Sequence, residues 1–599
     1  MNIDMEKLNN VRAKYRAEKL KREQNTLSDY SSRLSESDKF IQLWGDPNAD
    51  LDYSREPVSK QVDAVIIGGG IGGLGMAVRL REIGLSELCI VEKGADFGGT
   101  WYWNNYPGAQ CDIDASIYLP FLEEMNYVPK NKYAHVSEIS EHLRAIAKKY
   151  DLYEGALLQT VVEQLIWSEE ELMWSAHTDR GYVVKAKYAI SCTSVMDTPK
   201  IPNIPGVSDF KGAKFHTSRW DYDFTGGDSH GNLHNLNDKK VAVVGTGCTA
   251  LQCVPHVAEA AEHLYVVQRT PSTVSERGNH PIDPDWDVAK KPGWQKERMA
   301  NFAAMTVGSP VDEDLIGDKW THIFRNVVSF ISSKSFEGAS PEEMAASAEM
   351  ADFEMMEEIR ERVDIVVEDK DVAESLKPYY RVFCKRPGFS DNYLPVFNRD
   401  NVTLLDTDGQ GIEKFTETGI VVQGQEYQID GVVFATGFDV SGSAFKQSGL
   451  DIIGRDGLHL AAKWQEQITT MHGYCTHGFP NLFFIGSSQT GVIPNFWHMA
   501  EEQTAHVAHV VKRCESEDVA AVEPTRQAEL EWLAELQAHS GSSAAFYADC
   551  TPSYFNNEGD TQRVNHLLDG NYGGGAEKFF GMLQSWRDDG TMPGMILIK

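Results

Sequence analysis

The sequence is poor in positive charge and has no long apolar run. Lysine and arginine together number 56 against 88 aspartates and glutamates, which gives a formal net charge of −32. Such a surface repels a polyanion, so a nucleic-acid partner is excluded. No stretch approaches the roughly 18 apolar residues of a membrane-spanning helix, and the first residues lack the apolar core of a secretion signal. We therefore expect a cytoplasmic protein with no membrane partner.

Cysteine is also scarce, and the usual metal-binding spacings are missing. The nine cysteines among 599 residues include no C-x-x-C pair, which favours reduced thiols over a disulfide framework or a zinc site. The sequence contains no H-E-x-x-H motif and no Ser/His/Asp signature. We therefore expect no bound metal. The length of 599 residues predicts two or three domains.

A glycine-rich loop follows the first predicted strand. The apolar run at residues 62–67 leads into a loop that carries Gly68, Gly70 and Gly73, and a helical pattern follows at once. Glycines let backbone N–H groups at a helix N-terminus approach a pyrophosphate without a Cβ clash. Glu92 closes the next strand, at the spacing where a carboxylate accepts hydrogen bonds from a ribose. This unit predicts a dinucleotide-binding site.

A second loop of the same kind lies near the middle of the chain. It follows the apolar run at residues 240–244 and consists of Gly245, Thr246, Gly247, Cys248, Thr249 and Ala250. The next strand carries no acid and runs into Arg269. A cation at this place favours the 2′-phosphate of NADPH, although a solvent-exposed arginine in a turn stays an alternative. The contrast between Glu92 and Arg269 predicts FAD at the first loop and NADPH at the second.

Two longer patterns carry a family resemblance. Between the loops, the pattern F-x-G-x-x-x-H-x-x-x-W followed by Pro or Asp is met by Phe210, Gly212, His216, Trp220 and Asp221. A second pattern, G-G-x-W-x-x-x-x-Y-P-G-x-x-x-D, is met by Gly98, Gly99, Trp101, Tyr106, Pro107, Gly108 and Asp112. The chain resembles the type I Baeyer–Villiger monooxygenases, within the class B flavin monooxygenases, over about residues 40 to 599.

The resemblance implies an α/β fold with two Rossmann-like dinucleotide-binding domains and a helical insertion. We expect a charged helical arm at residues 1–55 and a first part of the FAD-binding domain at 56–205. The NADPH-binding domain would span 206–390, with the insertion at about 280–375. The second part of the FAD-binding domain and the C-terminal segment would span 391–599. The arm is similar to that of longer family members, which act on large cyclic or polycyclic ketones.

The implied reaction is the NADPH- and O2-dependent oxidation of a ketone to an ester or lactone through a C4a-peroxyflavin. Here the flavin supplies the difficult chemistry, while the protein orients it and stabilises negative charge. By resemblance, Arg386 stabilises the anionic oxygen, and Asp112 pairs with this arginine. An arginine suits the task because it stays protonated at any working pH. A purely structural ion pair between Arg386 and Asp112 is the alternative.

The resemblance also assigns cofactor contacts and a gate. Lys385 would join Arg269 and Thr270 at the 2′-phosphate, and Trp101 and Tyr118 would contact the flavin, with a plain core role as the alternative. Further predicted cofactor contacts are Gly99, Thr100, Val162, Gln252 and Tyr554. The fingerprint residues Phe210, Gly212, His216, Trp220 and Asp221 would act in domain motion and gating, or His216 would simply be a buried, hydrogen-bonded histidine. Candidates for the ketone pocket are Ile493, Asn495, Phe496 and Trp497.

Two departures from the family pattern keep other functions open. Gln110 stands where the family commonly has arginine, and Tyr554 stands where many smaller members have tryptophan. An N- or S-oxygenating flavin monooxygenase is one alternative, against which Trp220 with Asp221 argues. An uncoupled NADPH oxidase or redox-binding flavoprotein is the other, and Gln110 is its sequence support. The sequence leaves the oligomeric state open.

Overall fold

The structure is a computed structural model that describes residues 5–24, 45–50, 52–194, 196–328, 340–440, 449–539, 543–560 and 570–599. The predicted arm and the predicted helical insertion lie partly outside these residues, because 25–44 and 329–339 are not among them.

The strands are short and mostly apolar. Numbered along the chain, they are β1 (Ser59–Ile67), β2 (Leu88–Val91), β3 (Val162–Ser168), β4 (Met173–Thr178), β5 (Val183–Ser191), β6 (Ala213–His216), β7 (Lys240–Val244), β8 (His263–Gln268), β9 (Val402–Asp406), β10 (Lys414–Phe415), β11 (Gly419–Val422), β12 (Gln425–Gln428), β13 (Gly431–Phe434), β14 (Asp451–Ile453), β15 (Leu482–Phe484), β16 (Ala521–Pro524) and β17 (Met595–Ile598).

Two larger sheets organise the molecule. In the first, the order is β14-β3-β4-β5-β1-β2, with β15 beside β5, and β1 runs parallel to both of its neighbours. In the second, the order is β6-β13-β7-β8-β9, and all neighbours are parallel. Strands covered on both faces need continuous apolar runs, which residues 62–67 and 240–244 provide. The predicted α/β class is confirmed.

Two smaller antiparallel groups complete the sheets, β10-β11-β12 and β16-β17. The helices are α1 (Met5–Gln24), α2 (Ile71–Glu82), α3 (Thr100–Trp103), α4 (Ala115–Tyr118), α5 (Leu122–Met125), α6 (Val136–Lys149), α7 (Tyr222–Thr225), α8 (Cys248–Ala260), α9 (Trp294–Thr306), α10 (Lys319–Ile323), α11 (Pro341–Val366), α12 (Lys370–Ser375), α13 (Leu460–Lys463), α14 (Phe496–Ser516), α15 (Arg526–His539), α16 (Ser543–Asp549) and α17 (Ala576–Asp589). Among the described helices, none combines the length and apolarity needed to cross a bilayer.

Each sheet has its own apolar core, and helices cover the sheets. Helix α2 packs between β1 and α14 on the first sheet, while α8 packs on β7 and β8 of the second. Helices α9 to α12 lie in the segment predicted as a helical insertion. The N-terminal helix α1 lies on α11, where the ring of Tyr15 packs edge-on against Phe353 at 4.8 Å.

The chain returns to the first sheet later than the predicted boundary near residue 390. Strands β9 and β13 pair with β8 and β7 in the second sheet, and the return comes at β14 and β15. Short apolar strands fit either parallel sheet equally well, so the pattern of residues does not show which sheet takes them.

The prediction that all cysteines are reduced thiols is wrong for one pair. Cys384 and Cys550 form a disulfide across 166 residues of sequence. A pairing at this distance leaves no C-x-x-C spacing for sequence analysis to detect. The bond joins the segment that carries Lys385 and Arg386 to the C-terminal segment that carries Tyr554.

Candidate functional site

The first glycine loop connects β1 to α2 with a backbone that only glycine allows. Gly68 has φ +104°, and a Cβ at Gly73 would lie 1.9 Å from the carbonyl oxygen of Gly68. Helix α2 therefore packs directly on the end of β1. Glu92, directly after β2, accepts hydrogen bonds from the backbone N–H groups of Gly69 (2.6 Å) and Gly94 (2.7 Å). Burial raises the pKa of the Glu92 carboxyl, although these two donors oppose the shift.

The second glycine loop connects β7 to α8 in the same way. Gly245 has φ +110°, and a Cβ on it would lie 2.5 Å from the carbonyl oxygen of Ala435. A Cβ on Gly247 would meet no protein atom within 4 Å, so this residue faces open space at the N-terminus of α8. The Thr246 hydroxyl donates to the backbone carbonyl oxygen of Thr270 at 2.6 Å, which ties the loop to the segment after β8.

A cavity of about 1000 Å³ joins the two loops. Its volume suits a large ligand, since ligand pockets in proteins measure roughly 300–1,000 Å³. The predicted cofactor residues that line it are Gly68, Gly70, Glu92, Gly99, Thr100, Trp101, Asp112, Tyr118, Val162, Thr246, Gly247, Cys248, Thr249, Gln252, Arg269, Thr270, Lys385, Arg386 and Tyr554. Gly73 and Ala250 do not line it, because both are buried beneath the loops.

Arg386 and Asp112 meet on the wall of this cavity. The arginine Nε and Nη2 donate to the two carboxylate oxygens at 3.0 and 2.7 Å, which is a bidentate pair. The guanidinium lies over the ring of Trp320, 5.2 Å from its centre, and the indole N–H of Trp320 donates to the carbonyl oxygen of Asp112 at 3.0 Å. Burial alone would lower the pKa of Arg386, but the charge of Asp112 raises it above its usual value. The arginine is therefore charged throughout the working pH range.

A cluster of charges lies beside the second loop. Arg269 Nη2 donates to Glu558 at 2.7 Å, and Lys200 Nζ donates to the same carboxylate at 3.0 Å. Burial alone would raise the pKa of Glu558, but the charges of Lys200 and Arg269 hold it below its usual range. Lys385 donates to the carbonyl oxygen of Pro552 at 3.0 Å. Burial and the neighbouring cations, Arg269 among them, lower the pKa of Lys385 to about 7, although Glu558 opposes the shift.

A hydrogen bond holds together an aromatic pair in the cavity, Trp101 and Tyr118. The indole N–H of Trp101 donates to the hydroxyl oxygen of Tyr118 at 2.8 Å, and the rings meet edge-on at 5.8 Å. Both side chains line the cavity.

His216 of the fingerprint lies at the end of β6, inside the core of the second sheet. Its side chain is fully buried, and its Nδ1 lies 2.8 Å from the hydroxyl oxygen of Ser218. Burial lowers the pKa of His216 to about 3, so the imidazole is neutral at ordinary pH.

The other fingerprint residues shape the turns around His216. A Cβ on Gly212 would lie 2.3 Å from the ring of Phe210, so only glycine fits beside this phenylalanine. The indole of Trp220 donates to the hydroxyl oxygen of Thr225 at 3.0 Å, and Asp221 caps α7 by accepting from a backbone N–H. Like His216, these four residues are absent from the cavity wall.

The candidates for the ketone pocket divide into two groups. Ile493 and Phe496 line the cavity. Asn495 and Trp497 do not: the Asn495 amide donates to the carbonyl oxygen of Ile117 at 2.8 Å, and Trp497 packs against Phe121 at 4.8 Å in the core. Helix α14 begins at Phe496, and its turn directs Trp497 away from the cavity.

Several residues at the site were missed by sequence analysis. Trp320 contacts the predicted Asp112, Glu558 contacts the predicted Arg269, and Lys200 contacts Glu558. Each of the three lies far from its partner in sequence. The backbone of the structure marks Glu558: it follows Asn557 and precedes Gly559, and all three have positive φ. A glutamate in that conformation is uncommon outside constrained sites.

The residues present fit two dinucleotides. The cavity reaches Gly70 and Gly247, at the N-termini of α2 and α8, where backbone N–H groups attract a pyrophosphate. At Gly247 the open space in front of the backbone leaves room for a close approach. Glu92 could bind a ribose, and Arg269 with Lys385 could bind a phosphate.

Comparison with known proteins gives the same class. The sequence model of the family described as "Pyridine nucleotide-disulphide oxidoreductase" matches residues 65–299. The Baeyer–Villiger monooxygenase ATR8 of Stachybotrys chlorohalonatus is 45% identical over 588 residues, which cover 98% of this chain and 93% of that protein. The polycyclic ketone monooxygenase of the thermophilic fungus Thermothelomyces thermophila has a TM-score of 0.90 at 36% identity, over 99% of each chain. A solved complex of OTEMO with FAD and NADP has a TM-score of 0.73 at 26% identity, over 90% of this chain and 99% of that one.

Two dinucleotide loops on one cavity define a flavin- and nicotinamide-dependent oxidoreductase. The identity to ATR8 over nearly the whole length shows that the chain belongs to the Baeyer–Villiger monooxygenase family. The predicted enzyme class and the predicted cofactors, FAD and NADPH, are confirmed.

Proposed function

We propose that this enzyme oxidises large cyclic or polycyclic ketones to lactones or esters. Ketone, O2, NADPH and one proton give the ester, NADP⁺ and water, with one oxygen atom inserted beside the carbonyl. The observation that carries the proposal is the Arg386–Asp112 pair on the wall of a cavity that reaches both dinucleotide loops. The substrate size rests on similarity to an enzyme named for polycyclic ketones.

Arg386 would stabilise the negative charge that develops on oxygen during the reaction. Two of its five N–H groups serve Asp112, so others remain to donate to an oxygen anion. Asp112 fixes the plane of the guanidinium and balances its charge, and the indole of Trp320 covers one face. Bound FAD supplies the electron transfer and the activation of O2.

The nicotinamide cofactor would lie along the second loop. We assign its pyrophosphate to the N-terminus of α8 at Gly247 and its 2′-phosphate to Arg269, Thr270 and Lys385. The three side chains line one stretch of the cavity, which supports this assignment.

FAD would lie along the first loop. We assign its pyrophosphate to the N-terminus of α2, its ribose to Glu92, and its ring system to the wall that contains Trp101 and Tyr118. Gly99, Thr100, Val162 and Tyr554 line the same cavity and are assigned to cofactor contact.

The fingerprint would act without touching the cofactors. Because the five residues lie away from the cavity wall, we assign them to the geometry of the link between the two sheets. In particular, neutral His216 would hold the turn after β6 in place.

The ketone would bind near Ile493 and Phe496. Both line the cavity together with Phe324 and Phe383, and this apolar wall suits a hydrocarbon skeleton better than a polar substrate.

The experiment is an aerobic incubation of the FAD-loaded enzyme with NADPH and a matched panel of ketones. The panel contains a steroid-like polycyclic ketone, a macrocyclic ketone and a small cyclic ketone, with an organic sulfide and an amine as heteroatom controls. The expected result is a product one oxygen heavier than the polycyclic ketone, which base hydrolyses as an ester. Oxygenation of the sulfide or amine alone would contradict the proposal in favour of heteroatom oxidation.

A further inference from the structure

The N-terminal helix α1 is fixed in place by contacts with α11. Arg12 forms a salt bridge with Glu349 at 2.5 Å, and the Tyr15 hydroxyl accepts from Arg360 at 3.0 Å. With Tyr15 packed on Phe353, these contacts set the direction of the helix. Its last turn then lies beside the segment that follows β8, where Arg269 and Thr270 are found.

Arg22, in that last turn, donates from Nε to the hydroxyl oxygen of Thr270 at 2.9 Å. Only 10% of the Arg22 side chain is exposed. Its Nη1 donates to the carboxylate of Glu18 at 2.9 Å and to the carbonyl oxygen of Glu18 at 2.7 Å. Because Glu18 fixes one end of the planar guanidinium, the direction of the Nε–H bond towards Thr270 is fixed as well.

The bond from Arg22 decides what the Thr270 hydroxyl can do next. A hydroxyl group has one proton to donate and two lone pairs that accept. When Arg22 fills one of these lone pairs, the O–H bond turns towards a separate acceptor. Thr270 lines the cavity beside Arg269 and Lys385, so an acceptor on that side would be an anionic oxygen of the ligand.

The charge of Arg22 also affects the pKa of Lys385 in this cluster. Burial lowers the pKa of Lys385 most, and Arg22 is among the cations that lower it further. Lys21, the neighbouring cation on α1, pairs with Asp408 at 3.0 Å and with Glu18 at 3.2 Å.

We propose that Arg22 is a positioning residue for the 2′-phosphate of NADPH, which acts by orienting the Thr270 hydroxyl. The N-terminal arm is then part of what makes the enzyme select NADPH over NADH. This inference rests on the proposed assignment of Arg269, Thr270 and Lys385 to the 2′-phosphate.

The test measures the Kd of NADP⁺ and of NAD⁺ by titration calorimetry on the oxidised, FAD-loaded enzyme. The variants are Arg22→Ala, Thr270→Val and the double variant, with Lys21→Ala as the matched control on the same turn. We expect Arg22→Ala to raise the Kd of NADP⁺ about 5–10-fold, the scale of one ordinary hydrogen bond, because the Thr270 hydroxyl stays but loses its orientation. The Kd of NAD⁺ should stay unchanged. Lys21→Ala should leave both constants unchanged.

The double variant shows whether Arg22 acts through Thr270. If it does, adding Arg22→Ala to Thr270→Val changes the Kd of NADP⁺ little further, because the two effects share one path. Fully additive effects would overturn the proposal.

Two further variants separate the possible failures. Arg12→Ala loosens the docking of α1 and can act on NADP⁺ only by displacing Arg22, so its effect should not exceed that of Arg22→Ala. A larger effect of Arg12→Ala would show that the arm acts through another contact and overturn the proposal. Arg269→Ala tests the assignment of the phosphate site itself. If Arg269→Ala weakens NADP⁺ and Arg22→Ala does not, the proposal for Arg22 is wrong while the site stands. If neither variant weakens NADP⁺, the site assignment is wrong, and the proposal fails with it.

Discussion

The two glycine loops have the same backbone plan, but opposite charges stand beside them. After β2, Glu92 is satisfied by two backbone N–H groups of its own domain. After β8, Arg269 is satisfied by Glu558, a carboxylate from a distant C-terminal segment. At the first loop a ribose would compete with neutral backbone donors for the Glu92 carboxylate. At the second loop a phosphate would compete with the anionic Glu558 for Arg269. The second site therefore depends on parts of the chain far outside its own sheet.

The two loops should respond most differently when one methyl group is added to each. A Cβ on Gly73 would lie 1.9 Å from a backbone oxygen, whereas a Cβ on Gly247 would meet no protein atom within 4 Å. We expect Gly73→Ala to abolish FAD binding, because α2 must move off β1. Gly247→Ala should keep the fold and the FAD but raise the Kd of NADP⁺ about tenfold, since the methyl group occupies the approach of the pyrophosphate.

The measurements are the flavin absorbance per protein and the titration of NADP⁺. A Gly73→Ala protein with full flavin content would show that the close contact at the first loop does not matter.

Replacement of Arg386 on the cavity wall should affect the reaction and not the binding of FAD. We expect Arg386→Ala to lower ester formation by roughly 10²–10³, the usual effect of removing one donor to a developing oxyanion. The readout is product formation together with flavin content. Arg381→Ala is the control, because Arg381 lies in the same segment but pairs with Asp352 and does not line the cavity. Normal ester yield from Arg386→Ala would contradict the assignment.

The pH dependence of NADP⁺ binding should expose the charge cluster of the second site. The pKa of Lys385 is lowered to about 7, first by burial and then by nearby cations. Above pH 7, Lys385 of the free enzyme loses its proton. Binding of the phosphate then requires that Lys385 take up a proton again. The affinity should therefore fall about tenfold from pH 7 to pH 9, with uptake of a proton on binding.

Calorimetry in buffers of different ionisation enthalpy measures that proton uptake. The 2′-phosphate itself titrates near pH 6, below this window. Lys385→Met should bind NADP⁺ with an affinity independent of pH from 7 to 9, and an unchanged pH dependence in that variant would assign the proton elsewhere.

The smallest expected effect concerns the carboxylate of Glu558, which pairs with Arg269 at the second site. Glu558→Gln keeps the size of the side chain but removes the charge that competes with the 2′-phosphate, and its single amide oxygen can accept from only one of the two cations, Lys200 or Arg269. We expect the Kd of NADP⁺ to fall about threefold, with little change for NAD⁺. A rise in the Kd of NADP⁺ would mean that Glu558 organises Arg269 for the phosphate instead of competing with it.

Sequence analysis predicted the features that depend on neighbours along the chain. Both glycine loops follow their strands as expected, and the resemblance brought together Arg386 and Asp112, which the structure pairs. Each loop is specified within about 30 residues by strand, turn and helix signals, so local patterns suffice.

The remaining features depend on long-range contacts. Arg22 reaches Thr270 from the N-terminal helix, and Glu558 reaches Arg269 from the C-terminal segment. The disulfide between Cys384 and Cys550 and the placement of β9 and β13 in the second sheet have the same cause. Nothing in the local pattern marks these partners, because the contacts form only when the two sheets and the arm have come together.

Labelling with ¹⁸O₂ tests directly whether the enzyme inserts oxygen from O2 into a ketone. The FAD-loaded enzyme is incubated with NADPH and a polycyclic ketone, and product mass, NADPH consumption and H2O2 are measured together. We predict one ¹⁸O atom in each lactone and one NADPH consumed per lactone formed. NADPH consumption that yields only H2O2 across the ketone panel would contradict the account, and it would favour an uncoupled oxidase in which Gln110 replaces the family's usual arginine.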